Sequence, residues 1–291
     1  MENSAMDSVL LPLNFPQSFL PDRRLLAQLL TFAAANGEGD KEAISAQTGI
    51  PTGKSTGKVE PMIYYAHGMG LITAKKAASH WQLGLTPLGQ IIFQEDSFLS
   101  EPQTLWLLHL MLSRRYTLSS PATGVADAWF TVFAESDFRL GKRFTHARFL
   151  AFLIERHGDK GYLKSLSSLV LRSYLAESCF GQIAVLQQST DDFFIRQSAP
   201  LEKSFFPVYA AYFYLLWDEL FNTDNQIALD LFSKQSRCFS IMGWNETMIA
   251  TWLDWMNDKG LIQIDRYTGS PVLLRLQKTN QVLTAIYSEL I

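Results

Sequence analysis

A mainly α protein is predicted, with a winged helix-turn-helix over residues 1–96, a central helical domain over 97–222 and a second winged-helix-like module over 223–291. Three observations lead there. Leucines recur at helical spacing in RLLAQLLTFAAAN (24–36), which stops at Gly37. Two shorter segments follow, EGDKEAISAQTG (38–49) and VEPMIYYAHGMGLI (59–72), joined by the turn IPTGKST. The run LITAKKAASHWQLGLTPLGQIIF (71–93) then reads as strand, basic loop, strand and a helix that Thr86 caps.

Each element has a local cause. Asp40 opens the second helix and Gly49 closes it. Pro61 is tolerated in the first turn of the third helix, where N–H groups have no intrahelical partner. SEPQTLWLLHLMLSRR (100–115) begins with Ser100, Glu101 and Pro102 and ends in two arginines, which suits a helix from acidic start to basic end. GVADAWFTVFAES, THARFLAFLIERH and YLKSLSSLVLRSYL continue as amphipathic helices, with SSPATG (119–124) as a loop. Near the C-terminus, NETMIATWLDWMNDKGLIQI (245–264) is a helix capped by Asn245 and then a strand. RYTGSP is a wing tip, VLLRLQKT the returning strand and QVLTAIYSELI a closing helix.

The chain has 291 residues and a net charge of −3, so no global basic field draws it to nucleic acid and any contact must be local. The acidic first residues lack the basic start of a signal peptide. FFPVYAAYFYLLW (205–217) is too short for a bilayer span and reads as a core helix, so no membrane is expected. Cys179 and Cys238 match no metal spacing and give no disulfide framework, which fits a reduced, cytoplasmic setting.

The turn Gly49 to Thr56 is one residue short of a phosphate-binding loop and follows a helix instead of a strand. It reads as the approach to a recognition helix, where Lys54, Ser55, Thr56 and Lys58 would hold a DNA phosphate. Lys75, Lys76 and His80 fall on the wing, the other place where such a module touches a duplex. The C-terminal copy has acidic surroundings (Asp254, Asp258, Asp265), which suit a protein partner or packing at least as well. Catalytic signals are sparse. His109, Asp127 and Glu135 are the candidates for acid–base work, and Asp191–Asp192 for a metal. A histidine among Leu105, Trp106, Leu108 and Leu112 is more often a core residue, and an Asp pair more often a solvated turn.

The order of these elements resembles domain-of-unknown-function family 4007, which includes the SspB-like component of single-strand DNA phosphorothioation systems. The likeness is carried by SFLPDRRLL (18–26), TGKSTGKVEPMIYYAHGMGLI (52–72), LGLTPLGQIIF (83–93) with EPQTLWLLHLMLS (101–113), AWFTVF (128–133), LKSLSSLVLRSYL (163–175) and GLIQIDR (260–266). These are short, mostly structural matches spread over nearly the whole chain. The resemblance implies an anti-phage DNA-modification setting, double-stranded DNA as ligand and Mg²⁺-dependent nicking. It also implies work beside a cysteine desulfurase, an adenylating sulfurtransferase and an ATPase. It carries over no catalytic residue. A non-enzymatic DNA-binding adaptor and a protein-interaction scaffold are the alternatives, and a homodimer is left open.

Overall fold

The computed structural model describes residues 11–53, 57–135, 139–222, 224–266 and 269–290. It is mainly helical, with three small antiparallel sheets of three strands each. The N-terminal part runs α1 (Arg23–Ala34), β1 (Glu38–Gly39), α2 (Lys41–Thr48), α3 (Val59–Gly68), β2 (Ile72–Ala77), β3 (His80–Leu85) and α4 (Pro87–Glu95). Asp40 caps α2 through the amide of Ala43, Gly49 ends it in the left-handed region, and Thr86 caps α4 through the amide of Gly89. β3 lies in the middle of its sheet, flanked by β1 and β2.

The GLTPLG stretch has a steric reason. α4 crosses the backbone of Leu71 so closely that a Cβ on Gly89 would sit 1.8 Å from the Leu71 carbonyl oxygen. Thr86 completes the junction by donating to the Gly70 carbonyl at 2.6 Å. Lys75 and Lys76, expected in a loop, lie within β2 opposite Gln82 and Trp81. Only Ala78 and Ser79 form the turn, and Ala78 takes a positive φ of 55° there.

A related order recurs twice, without a closing helix in the middle unit and with one extra short helix in the last. The middle unit is α6 (Asp127–Phe133), β4 (Arg143–Thr145), α7 (His146–His157), α8 (Leu163–Ser173), β5 (Leu186–Gln188) and β6 (Phe193–Arg196). The last is α9 (Phe206–Phe221), β7 (Gln226–Ala228), α10 (Leu229–Ser236), α11 (Cys238–Met242), α12 (Glu246–Asp258), β8 (Ile262–Asp265), β9 (Val272–Arg275) and α13 (Thr279–Leu283). In each sheet the last strand pairs with both others. This corrects the purely helical reading of 97–222. Strands of three and four residues in RFT, LQQ and FFIR are too short to alternate visibly, so the helices beside them dominated the pattern. The closing helix is also shorter than expected, since α13 ends at Leu283 and gives way to turns.

Between the first two units runs α5 (Pro102–Ser113), buried at every position from Gln103 to Ser113. A helix without a polar face must be enclosed by protein, and α5 packs against α3, α6, α9 and α11. At its C-terminus Arg114 pairs with Glu219 of α9, Nε to Oε2 at 2.7 Å. The same guanidinium donates to the carbonyls of Gly68, at the end of α3, and Met111, each at 2.6 Å. Arg196, from β6, donates to Phe133 at the end of α6 and to Ile241 of α11. Both arginines satisfy carbonyls that a helix terminus leaves without partners. The apolar stretch in α9 is core, as its sequence suggests: Tyr209, Tyr212, Phe213 and Trp217 are all buried. No helix among the described residues is long and apolar enough to cross a membrane.

Removing one member of a buried ion pair leaves the other charge desolvated. Glu219→Ala is expected to lower the unfolding free energy by about 3–5 kcal/mol, measured by denaturant titration. A loss of only a few tenths would show that Arg114 finds water in its place.

Candidate nucleic-acid interface

The sequence places DNA contacts on the N-terminal unit. Lys54, Ser55 and Thr56 lie outside the described residues. Lys58 is half-buried just before α3, with its ammonium 6.0 Å from the Phe19 ring. Lys76 sits 2.6 Å from Glu60 Oε1 and 4.8 Å from the Trp81 ring, and His80 is 3.8 Å from Glu38. Lys75 is exposed. Two of these four cations thus already face a carboxylate. α3 itself is mostly covered: seven of its ten residues are buried. The chain from Leu11 to Asp22 lies over it, with Phe15 edge-on to Tyr65 at 4.9 Å and the Tyr65 hydroxyl donating to the Phe19 carbonyl.

The candidates for catalysis do not converge. His109 is fully buried on α5, with Nδ1 2.7 Å from the Tyr174 hydroxyl and the Phe133 ring centroid 4.5 Å away. Burial, helped by the charge of Arg196, holds its pKa well below the ordinary histidine value, so the ring stays neutral. Asp127, at the start of α6, accepts from both nitrogens of Arg156 (2.7 and 2.8 Å) and from the amide of Gly124. His157 Nε2 lies 3.0 Å from the same carboxylate, off line for a good hydrogen bond. Burial alone would raise the pKa of Asp127, but these neighbours outweigh it and bring it down to about 2. Its lone pairs are committed to holding α6 against the end of α7. Glu135 faces Arg237 at 3.8 Å.

Asp191 and Asp192 occupy the exposed turn of the β5–β6 hairpin, where Asp191 is 3.7 Å from Arg143 and Asp192 has a positive φ of 58°. A Mg²⁺ site needs several oxygen ligands around one point. Among the described residues no three His, Cys, Asp or Glu side chains are grouped to hold a metal. The described residues therefore offer no three-ligand cluster for the ion that the family resemblance implies.

The middle unit carries a local charge that no sequence motif marks. Residues 139–197 carry nine Lys and Arg against five Asp and Glu, a local charge of +4 in a chain of −3. The rest of the chain, with sixteen against twenty-three, is acidic. That local excess was visible in the sequence, but without the β4–β6–β5 sheet nothing marked 139–197 as one unit.

Asp127 makes stability depend on acidity in a defined direction. Its folded pKa of about 2 lies below the usual value of 3.8, so its contribution is full above the latter and is lost as pH falls through the former. Asp127→Asn is expected to cost on the order of 2 kcal/mol near neutral pH, and the gap to wild type should close between about pH 4 and pH 2. Denaturant titrations at several pH values read this; a gap that stays constant would remove the ion pair from the account.

A model described as "Protein of unknown function (DUF4007)" matches residues 41–287 of this chain. No curated protein matches it. Among solved structures, magnesium ion-bound SspB superposes with a TM-score of 0.69 at 17% identity, covering 95% of this chain and 87% of that one. A second SspB crystal structure gives 0.68 at the same identity and coverage. At this identity the likeness concerns the fold, and it extends over nearly the whole length of both chains. The chain belongs to the DUF4007 family.

Proposed function

We propose that this chain is a duplex-DNA-binding component of a single-strand DNA phosphorothioation system. The observation that supports this most is the whole-chain likeness to SspB. The order of helix, strand, two helices and hairpin in the first two units, with one extra short helix in the last, adds to it, since this is the order of a winged helix-turn-helix. On that reading the chain carries three winged-helix-like units around α5. The protein would act in the cytoplasm beside the desulfurase, sulfurtransferase and ATPase that such chemistry requires.

A second reading, Mg²⁺-dependent nicking of DNA, is favoured by the magnesium-bound state of one SspB neighbour. A third, a scaffold that binds only protein partners, draws on the acidic C-terminal unit. One experiment separates them. Purified protein is mixed with supercoiled plasmid, with and without Mg²⁺ and chelator, and run beside a gel shift on a short duplex. Retardation that weakens steeply with salt is expected. Open-circle product that needs Mg²⁺ selects nicking, whereas plasmid that stays closed leaves the binding component. Absence of any shift at low salt overturns the DNA reading in favour of the scaffold.

A further inference from the structure

The three units differ in what the last helix before their hairpin presents to solvent. α3 is covered by the N-terminal segment and by α5, leaving only Glu60, Tyr64 and His67 partly exposed. α12 is a surface helix, but its exposed charged residues are Glu246, Asp254 and Asp258. α8 is different. Its buried side carries Leu163, Leu166, Leu169 and Val170, and its outer side exposes Lys164, Ser165 and Arg172, with Ser168 partly exposed. Lys164, Ser168 and Arg172 are spaced four residues apart and form one stripe. Neither Lys164 nor Arg172 has an ion-pair partner among the described residues, and the same holds for the exposed Lys142 and Lys160 of this unit.

A cleft of about 470 Å³ runs beside the stripe, bounded by Thr145 and His146 at the start of α7, Ser168 and Arg172 of α8, and Gln188 and Asp192 of the hairpin. The hairpin tip is acidic through Asp191 and Asp192, so it would be held away from phosphate. Arg143, which lies 3.7 Å from Asp191 and 3.9 Å from the Phe193 ring centroid, is engaged there.

We infer that the outer face of α8, from Lys164 to Arg172, is the surface that docks on the phosphate backbone of duplex DNA. This rests on the DNA-binding reading above and moves the contact from the N-terminal unit to the middle one. Charge complementarity carries it: a basic stripe with no ion-pair partner among the described residues, in a segment (139–197) whose charge is +4 within an acidic chain. The stripe spans eight residue steps, about 12 Å of helix, which is a length that a duplex groove admits. Lysine, arginine and serine are the side chains that phosphate oxygens accept hydrogen bonds from. Docking is by the helix and not by the hairpin, because the hairpin carries the wrong charge.

The test is fluorescence anisotropy of a labelled duplex over a salt series, using the full-length chain. Lys164→Gln/Arg172→Gln is expected to weaken binding about tenfold or more and to reduce the slope of log K against log salt by about 1.8, since two phosphate contacts are removed. Lys75→Gln/Lys76→Gln on β2 is expected to leave both unchanged. Asp191→Asn/Asp192→Asn should tighten binding, a gain that misfolding cannot produce. Unchanged binding in the α8 variant, or loss in the β2 variant alone, overturns the inference while the DNA reading stands. Wild-type protein that fails to bind at low salt overturns both.

Discussion

Much of the structure depends on the buried ion pair between Arg114 and Glu219 at the end of α5. That helix has no polar face, so it can exist only if other elements enclose it. Its C-terminal carbonyls then point into a region without water. Arg114 resolves this by donating to Met111 in its own helix and to Gly68 in α3, while Glu219 from α9 neutralises it. One side chain thus joins the first unit, the central helix and the last unit. Arg196 does the equivalent between the middle and last units, donating to Phe133 and Ile241. Such pairs add little net stability against an apolar replacement, but once present they cannot be half removed. They fix which helix ends meet.

Repetition of one unit around α5 has left the three copies free to differ on their outer faces. The first spends its third helix on the core, with Phe15, Tyr65 and Trp129 packed in sequence. The last sets Trp252 of α12 against Phe213 of α9, buries Leu253 and Met256 beside it in sequence, and exposes acid. The middle copy alone combines a basic charge with a third helix that is apolar inside and polar outside. Shared topology therefore does not imply shared ligand: each unit's role follows from which residues stand on its exposed side.

Where the sequence carries a capping residue or a closing glycine, the elements were legible. Asp40, Gly49, Thr86 and Asn245 lie at the ends expected of them. The apolar stretch of α9 and the burial of His109 were equally readable from composition. The middle sheet was not, because its three strands hold too few residues to show alternation and β4 pairs with β6 across more than forty positions. Site residues were read least well. Their place on the wing points to Lys76 and His80, but the folded chain brings Glu60 and Glu38 beside them. Asp127, a candidate for acid–base work by sequence, has Arg156 and His157 against it from the end of α7.

The account's central claim is that DNA is met by the middle unit through α8. Hydrogen–deuterium exchange of the full chain, with and without a saturating short duplex, tests it without altering a residue. Slowed exchange in peptides covering 142–146 and 160–172, with 59–77 unchanged, is the predicted result. Protection confined to 59–77, with 160–172 exchanging as in the free protein, would contradict it.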